Sequence, residues 1–327
     1  MLFNVAVPSK ALLIAGIFFL ISVSLAAQIP PPPDEPDGFR LKVETDLVVL
    51  HATVTGTDGK PVPGLLQEHF QIFENGVLQQ INVFKREDLP VSVGIIVDNS
   101  GSMRDKRKGV SAAALKFVRS SNPNDEVFII NFNDEAFLDA DFTDSIRLLE
   151  EALEKIDARG GTGLYDALDL SLDHIKKGKE DKKVLLVITD GEDNASRLAL
   201  EVTVKTVQQS GVMIYTVGLL GGENAGSARR AKRALEEISK AAGGLAFFPN
   251  NVEEVQTIAT QIANDIRNQY VLAYNPSNRV LDRGFRKIEV RIAAPKKLGK
   301  LSVRTRSGYY AEPSSSNRSD ASRLAVP

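Results

Sequence analysis

The middle of the chain, residues 89–268, alternates apolar runs of strand length with segments that carry apolar residues at helical spacing. Val93–Val97, Lys183–Thr189 and Val212–Val217 are continuously apolar or nearly so, which is typical of parallel strands buried on both faces. Helical patterns lie between the first and the second of these runs, including Ser145–Ile156 and one that begins at Leu164, and the last helical pattern of the block covers Val252–Arg267. The alternation predicts an α/β fold, in which a doubly wound, mostly parallel sheet carries helices on both faces.

The segments on either side of this block, residues 39–88 and 269–311, have the pattern of β-strands instead. The earlier segment contains the apolar run Leu47–Leu50 and the hairpin signal Asn75-Gly76, and the later one contains three more runs of strand length. Segments of about 40–50 residues bury too little surface to form a stable core alone. We therefore expect them to pair as the two parts of one small β-sandwich, into which the α/β domain is inserted.

The first 27 residues have the composition of a secretory signal peptide. Ala11–Val23 is an apolar run, Lys10 precedes it, and Ser24–Ala27 follows it with mostly small residues. The run is short for a membrane span, and an uncleaved membrane anchor is the alternative interpretation. After cleavage the chain would have no membrane span, and we expect it to be secreted or periplasmic, in a bacterial cell envelope.

Two further segments are expected to lie outside the folded domains. Residues 28–38 include four consecutive prolines, Pro30–Pro33, and this composition predicts an extended linker. Residues 312–327 are rich in serine and lack an apolar period, which predicts a disordered tail. The 327 residues include no cysteine, so neither disulfides nor a lipid-modified cysteine contribute to the protein.

The charge of the chain gives no general attraction to nucleic acids. The formal net charge is −2, and tryptophan, which often stacks on bases, is absent. The basic runs Arg104–Lys108 and Arg229–Arg233 fall on predicted helices, where we expect their side chains to face solvent. We therefore predict no nucleic-acid partner.

Three loops place oxygen-bearing side chains at one edge of the predicted sheet. Asp98–Ser102 follows the strand Val93–Val97, Gly160–Gly163 opens a predicted helix, and Thr189–Asp193 continues from the strand Lys183–Thr189. In open α/β sheets, ligands bind outside the carboxyl ends of the strands. These loops are therefore the candidate binding site.

The donors that the loops offer are two carboxylates and three hydroxyls, from Asp98, Ser100, Ser102, Thr162 and Asp190. An all-oxygen set of this kind suits Mg²⁺, Mn²⁺ or Ca²⁺ and does not suit zinc or copper. Two negative charges roughly balance a divalent ion, whereas hydroxyls add little charge. The bound ion would therefore still attract a carboxylate from another molecule.

The order and spacing of these five residues resemble the metal-ion-dependent adhesion site (MIDAS) of von Willebrand factor type A (VWA) domains. The resemblance implies a VWA domain over the α/β block. It implies that Ser100 and Ser102 bind the ion directly and that Thr162 does so in the ligand-bound state. It also implies that Asp98 and Asp190 act directly or through water.

The flanking segments carry a wider resemblance. Phe84–Asp88 and Arg306–Tyr310 are similar to the ends of the strand segments in bacterial secreted proteins called VWFA-related domain proteins. This resemblance implies the fold and a bound metal. We expect an exported protein that binds a divalent cation and a partner protein, whose Asp or Glu carboxylate completes the metal shell in adhesion or envelope assembly. The alternative is a structural or chaperone-like assembly subunit of the envelope, in which the metal only stabilises the loops.

Each motif also has a simpler interpretation. Asp98 and Asp190 are placed where aspartate often caps a helix. Gly160–Gly163 alone is also typical of an ordinary tight turn or of a phosphate-binding loop. Glu192 and Asp193 are adjacent to the candidate site, but carboxylates in exposed loops are usually solvated, and we expect that here.

The sequence contains no constellation that predicts catalysis, and we expect the protein not to be an enzyme. An aspartate after a central strand also begins phosphatases of the haloacid dehalogenase type, but Ser100 stands where their second acid is needed. No G-x-S-x-G motif is present, and His51, His69 and His174 all lie outside the three loops. We expect His51 and His69 to be ordinary residues of the β-sandwich and His174 to lie on a helix surface.

Overall fold

The computed structural model describes residues 47–86, 88–154, 158–293, 295 and 298–311. The predicted signal peptide, the proline-rich linker, residues 39–46 of the first strand segment and the serine-rich tail lie outside these residues. Within the described ranges, no helix is both long enough and apolar enough to cross a membrane.

Strands and helices alternate through the middle of the chain, with strands alone at both ends. In the described part of the chain the strands are β1 (Val48–Thr55), β2 (Phe70–Glu74), β3 (Val77–Gln79), β4 (Ile81–Lys85), β5 (Val91–Asp98), β6 (Glu126–Phe132), β7 (Ala136–Thr143), β8 (Lys182–Thr189), β9 (Met213–Gly218), β10 (Ala246–Phe247), β11 (Tyr270–Tyr274), β12 (Phe285–Ile292), β13 (Ser302–Arg304) and β14 (Gly308–Tyr310). The helices of the same part are α1 (Arg107–Ser120), α2 (Ile146–Glu154), α3 (Leu164–His174), α4 (Leu200–Ser210), α5 (Ala225–Ala242) and α6 (Glu253–Arg267).

A six-stranded sheet forms the centre of the α/β region, in the order β10-β9-β8-β5-β6-β7. All neighbouring pairs are parallel except β6 and β7, which are antiparallel. Helices α1, α2 and α6 pack on one face of the sheet, and α3, α4 and α5 pack on the other. The prediction of a doubly wound, mostly parallel α/β sheet is therefore confirmed.

The strand β5 lies at the middle of this sheet, and every one of its residues is buried. Gly94 is required there, because a Cβ atom at this position would lie 2.3 Å from Phe128 Cζ and 2.6 Å from Leu185 Cδ2. The absence of a side chain lets these two residues of the neighbouring strands fill the core instead. Because β5 is parallel to β6 and β8, the loops that follow β5 and β8 open at the same edge of the sheet.

The strands before and after the α/β region form two antiparallel sheets of four strands each, in the orders β13-β1-β11-β4 and β14-β12-β2-β3. Leu50 of β1 pairs with Leu272 of β11, so strands far apart in the sequence share a sheet. The two sheets contribute to one buried core, which includes Ile72 of β2 and Val290 of β12. The α/β fold is thus accompanied by a small β-sandwich, as the pairing argument predicts.

Buried polar side chains join the end of α6 to the sandwich. Asp265 of α6 accepts hydrogen bonds from the Tyr215 hydroxyl, at 2.6 Å, and from the Arg304 guanidinium of β13. Gln269, which follows α6, donates to the Tyr215 hydroxyl at 3.2 Å. These contacts fix the place where the chain passes from the last helix into β11.

Candidate metal centre

Asp98 ends β5 and organises the first loop through both of its carboxylate oxygens. Its Oδ1 accepts a hydrogen bond from the Ser100 backbone N–H at 2.8 Å, and its Oδ2 accepts one from the Thr189 hydroxyl at 2.6 Å. The side chain is fully buried. Asp98 therefore shapes the Asp98–Ser102 loop and ties the end of β5 to the end of β8.

A chain of short oxygen–oxygen contacts runs across the first and third loops. The Ser100 and Ser102 hydroxyl oxygens are 3.1 Å apart, and the Ser102 hydroxyl donates to Asp190 Oδ1 at 2.8 Å. Asp190 and Ser100 are buried, whereas Ser102 is exposed. The oxygen cluster therefore has one side open to solvent.

The second loop is positioned by side chains from outside it. Gly161 N–H donates to Asp134 Oδ1 at 2.7 Å, and Thr162 N–H donates to Asn194 Oδ1 at 2.9 Å. Gly160 has φ +73°, and a Cβ atom there would lie 2.0 Å from Asp134 Oδ2, so only glycine fits this turn. The glycines of the loop thus allow close approach of the two side chains that hold it in place.

These contacts bring Thr162 to the same part of the rim as the other candidates. Its Oγ1 is 3.7 Å from the position that a Cβ atom on Gly191 would occupy, and Gly191 follows Asp190 directly. Thr162 is buried. The structure therefore gathers all five residues singled out in the sequence, Asp98, Ser100, Ser102, Thr162 and Asp190, around the carboxyl edge of β5 and β8.

The spacing of the oxygens fits a small divalent cation. With Mg²⁺–oxygen bonds of about 2.1 Å, neighbouring oxygens of an octahedral shell are about 3.0 Å apart. The distances of 3.1 Å from Ser100 Oγ to Ser102 Oγ and 2.8 Å from Ser102 Oγ to Asp190 Oδ1 are close to this value. Among the described residues no group of three or more His, Cys, Asp or Glu side chains is placed to hold a metal, so this candidate depends on hydroxyl oxygens as well.

The electrostatic environment of the cluster favours a cation. Burial raises the pKa of Asp98 from 3.8 to about 6, and the nearby charge of Asp190 adds to the increase. Hydrogen bonds from Thr189 and Ser100 oppose it without cancelling it. Two carboxylates are thus held close together in a site with little water, where a positive charge stabilises both ionised forms.

Two basic residues that the sequence analysis places in solvent contact this site instead. The Lys106 ammonium lies 2.5 Å from Asp190 Oδ2. Arg107 is buried, and its guanidinium donates to Asn131 Oδ1 at 3.2 Å and to the Asp98 carbonyl oxygen at 3.4 Å. The expectation that the whole Arg104–Lys108 run faces solvent is therefore wrong for these two residues.

A signal for both residues is present in the sequence. Arg107 lies three residues before Val110 and seven before Ala114, which places it on the buried face of α1, and Lys106, the residue before the helix, lies four before Val110 on the same side. A charged residue on an apolar face usually has a partner of opposite charge. The carboxylates of the first and third loops are the nearest such groups in the predicted topology.

Other side chains around the rim are also engaged by protein groups. Asp193 accepts hydrogen bonds from Tyr165 N–H at 2.9 Å and from the Ser196 hydroxyl at 2.6 Å, and thereby caps the start of α3. Arg230 donates to Glu192 at 2.8 Å and lowers the pKa of that carboxyl group. Both acids are structural here, so the expectation that they are simply solvated is wrong.

Glu223, which precedes α5, also reaches the rim, although no sequence motif marks it. Its Oε1 is 3.3 Å from the position that a Cβ atom on Gly191 would occupy. None of the histidines lies in the three loops. His174 is buried rather than on the surface, since its ring stacks on Phe142 and its Nε2 lies 2.9 Å from Asp141 Oδ1.

Comparison with known proteins assigns the α/β region. Residues 92–261 match the family of the von Willebrand factor type A domain. A curated relative, uncharacterized protein sll0103 of Synechocystis sp., is 27% identical over 179 residues, which are 52% of this chain and 40% of that protein. The chain spans only 17% to 46% of the length of the curated relatives that it matches.

One solved structure supports the fold at a TM-score of 0.50. A von Willebrand factor type A structure from Catenulispora acidiphila has a TM-score of 0.50 at 12% identity, covering 78% of this chain and 72% of that one. Proximal thread matrix protein 1 of the mussel byssus, described with zinc in its MIDAS motif, has a TM-score of 0.48 at 16% identity, covering 59% of this chain and 49% of that one. Since the family match covers residues 92–261 and the sheet order and helix placement are those of a doubly wound α/β domain, the chain belongs to the von Willebrand factor type A domain family.

Proposed function

We propose that the protein binds a divalent cation, Mg²⁺ or alternatively Mn²⁺ or Ca²⁺, at this rim and uses it to bind a partner protein through an Asp or Glu carboxylate. The observation that carries the proposal is the cluster formed by Ser100 Oγ, Ser102 Oγ and Asp190 Oδ1, whose spacing matches a metal shell and whose Ser102 side is exposed. The exposed Ser102 side would leave a coordination position of the bound cation open to a ligand carboxylate.

Each residue has a definite part in this proposal. Ser100 and Ser102 offer hydroxyl oxygens to the ion, and Thr162 approaches from the second loop. Asp98 positions Ser100 through the backbone N–H, while Asp190 contributes charge from the third loop. The bound cation would supply a strongly attractive point for a carboxylate, because its own ligands are mostly neutral hydroxyls.

The contacts of the loops support partner binding over the alternative in which the metal only stiffens the loops. Asp134 holds Gly161, Asn194 holds Thr162, and Asp98 holds Ser100, all through protein hydrogen bonds. The loops therefore have partners of their own for their backbone groups. Since protein groups already hold the three loops in place, a metal is not needed to order them, which supports a role for the ion in binding another molecule.

We further propose a binding role rather than catalysis, and export from the cytoplasm. Two of the three histidines make side-chain contacts away from the rim: His69 Nδ1 accepts from Leu66 N–H at 3.0 Å, and His174 contacts Asp141. His51 lies in β1, where burial lowers its pKa to about 3. Export is supported by the apolar run Ala11–Val23 and the small residues that follow it.

Calorimetric titration of the purified protein with Mg²⁺ and Mn²⁺ tests the metal part of the proposal. We expect one ion per chain for the wild type and no measurable binding for Asp190→Asn. Asp169→Asn is the matched control, since Asp169 is an exposed carboxylate of α3 and its loss changes the net charge equally. Absence of binding in the wild type, or equal binding by the Asp190 variant, would contradict the proposal.

The proposed binding of a partner protein needs a second experiment. A library of peptides with one central Asp or Glu is compared with the same peptides carrying Asn or Gln, in Mg²⁺ and in EDTA. We expect retention only of the acidic peptides and only with the metal. If the metal raises the melting temperature but no acidic peptide is retained, the structural role of the metal is the better account.

A further inference from the structure

The rim contains a cation that belongs to the chain itself. The Lys106 ammonium lies 2.5 Å from Asp190 Oδ2, and the Asp190 side chain is fully buried. The other oxygen of this carboxylate accepts the Ser102 hydroxyl at 2.8 Å. Both oxygens of Asp190 are therefore satisfied by the protein itself, one of them by a full positive charge.

Backbone hydrogen bonds hold Lys106 where its side chain can contact the Asp190 carboxylate. Its backbone N–H donates to the Met103 carbonyl oxygen at 2.9 Å, and its own carbonyl oxygen accepts the Val110 N–H at 3.0 Å. Its side chain is 25% exposed. The turn before α5 lies beside the ammonium, which is 3.6 Å from the position that a Cβ atom on Gly222 would occupy.

The ammonium and a divalent ion compete for the same charge. Two cations a few ångströms apart repel each other, and the repulsion is larger in a partly buried site than in water. Lys106 can leave, since a quarter of its side chain already faces solvent and its stem is flexible. Asp190 is buried at the end of β8, so its carboxylate stays in place when the lysine moves away.

We infer that Lys106 is a resident counter-ion of the adhesion site, which a divalent cation displaces from Asp190 when it binds. Metal binding is then an exchange of cations, and the affinity for the metal is set by competition with the chain's own lysine. The exchange keeps Asp190 neutralised in the absence of metal and restricts occupancy to conditions of sufficient free ion. This inference rests on the proposed metal site.

The test compares Lys106→Gln and Lys106→Met with Lys108→Gln. Lys108 is an exposed residue of the first turn of α1, two residues after Lys106, and its replacement changes the net charge equally, so the comparison isolates the contact with Asp190. Mn²⁺ and Mg²⁺ affinities are measured by titration calorimetry, and melting temperatures are measured in EDTA and in excess Mg²⁺.

We expect both Lys106 variants to bind metal at least about tenfold more tightly than Lys108→Gln, a factor that corresponds to about 1.4 kcal/mol. In EDTA their melting temperatures should fall, because Asp190 loses its partner, and excess Mg²⁺ should restore them. Lys106→Gln is the milder change, since its amide can still donate a hydrogen bond.

The outcomes separate this inference from the proposed function. If the wild type binds metal and the Lys106 variants bind it equally or more weakly, the lysine only supports the fold and the inference is overturned. If neither the wild type nor any Lys106 variant binds metal, the proposed metal site fails as well. Binding by the Lys106 variants alone would support competition by the lysine, but it would contradict the proposed function, because the wild-type protein would not bind the metal.

Discussion

Replacing Asp98 by Asn should stabilise the metal-free protein at neutral pH, although Asp98 is central to the candidate site. The carboxylate is buried, and burial is the largest cause of its raised pKa. Asn keeps the shape of the side chain and can still accept the Ser100 N–H. The Thr189 hydroxyl, which donates to Asp98, can accept from the Asn amide instead.

The size of this stability difference, and the pH range over which it develops, follow from the pKa values of Asp98 in the folded and the unfolded chain. The pKa of Asp98 is about 6 in the folded protein, against 3.8 ordinarily. Between these values the unfolded chain has lost the proton and the folded chain keeps it, so stability falls as pH rises. The loss is complete above about pH 6 and amounts to about 3 kcal/mol, from roughly two pKa units at about 1.4 kcal/mol each.

Urea denaturation in EDTA from pH 4 to pH 7.5 measures this difference. The unfolding free energies of the wild type and of Asp98→Asn should be similar near pH 4, and the variant should be about 3 kcal/mol more stable at pH 7. Saturating Mg²⁺ should stabilise the wild type and leave the variant nearly unchanged. A difference that does not vary with pH, or a variant that is less stable at pH 7, would refute the reasoning.

Two further substitutions test the supports of the site and of the sandwich. Gly161→Ala should weaken Mn²⁺ binding at least about tenfold, because the added Cβ atom would lie 2.5 Å from Asn194 Oδ1 and 2.8 Å from Asp134 Oδ1. Calorimetry measures the affinity, and an unchanged value would show that the loop is not needed for binding. Arg304→Met should lower the unfolding free energy by about 3 kcal/mol, because it leaves the buried Asp265 carboxylate without its hydrogen-bonded guanidinium partner. Urea denaturation measures the change, and a loss below about 1 kcal/mol would contradict this expectation.

The features that sequence could predict are those set by local pattern. The apolar run of β5 is buried on both faces, and this pattern alone indicates a central parallel strand. Parallel strands end at a common edge of the sheet, so topology alone predicts that Asp98 and Asp190 lie close together. The pairing of the flanking strands follows from a different argument, namely that neither segment can bury a core by itself.

The features that sequence did not predict depend mainly on contacts between side chains that are distant in the sequence. Lys106 and Arg107 belong to a basic run, and charge composition alone places such a run in solvent. The first turn of α1 lies directly beneath the rim, and that position turns both residues inward. Helix α4 is not among the predicted helices, because it is rich in β-branched residues that lower helix propensity.

Diffraction from crystals soaked in Mn²⁺, recorded for anomalous scattering, tests the central claim most directly, because it locates the ion without assumptions about its ligands. We expect one strong peak at the rim, within bonding distance of the Ser100 and Ser102 hydroxyl oxygens, with the Lys106 ammonium withdrawn from Asp190. No peak at the rim at saturating Mn²⁺, or a peak elsewhere with the Lys106–Asp190 contact intact, would contradict it.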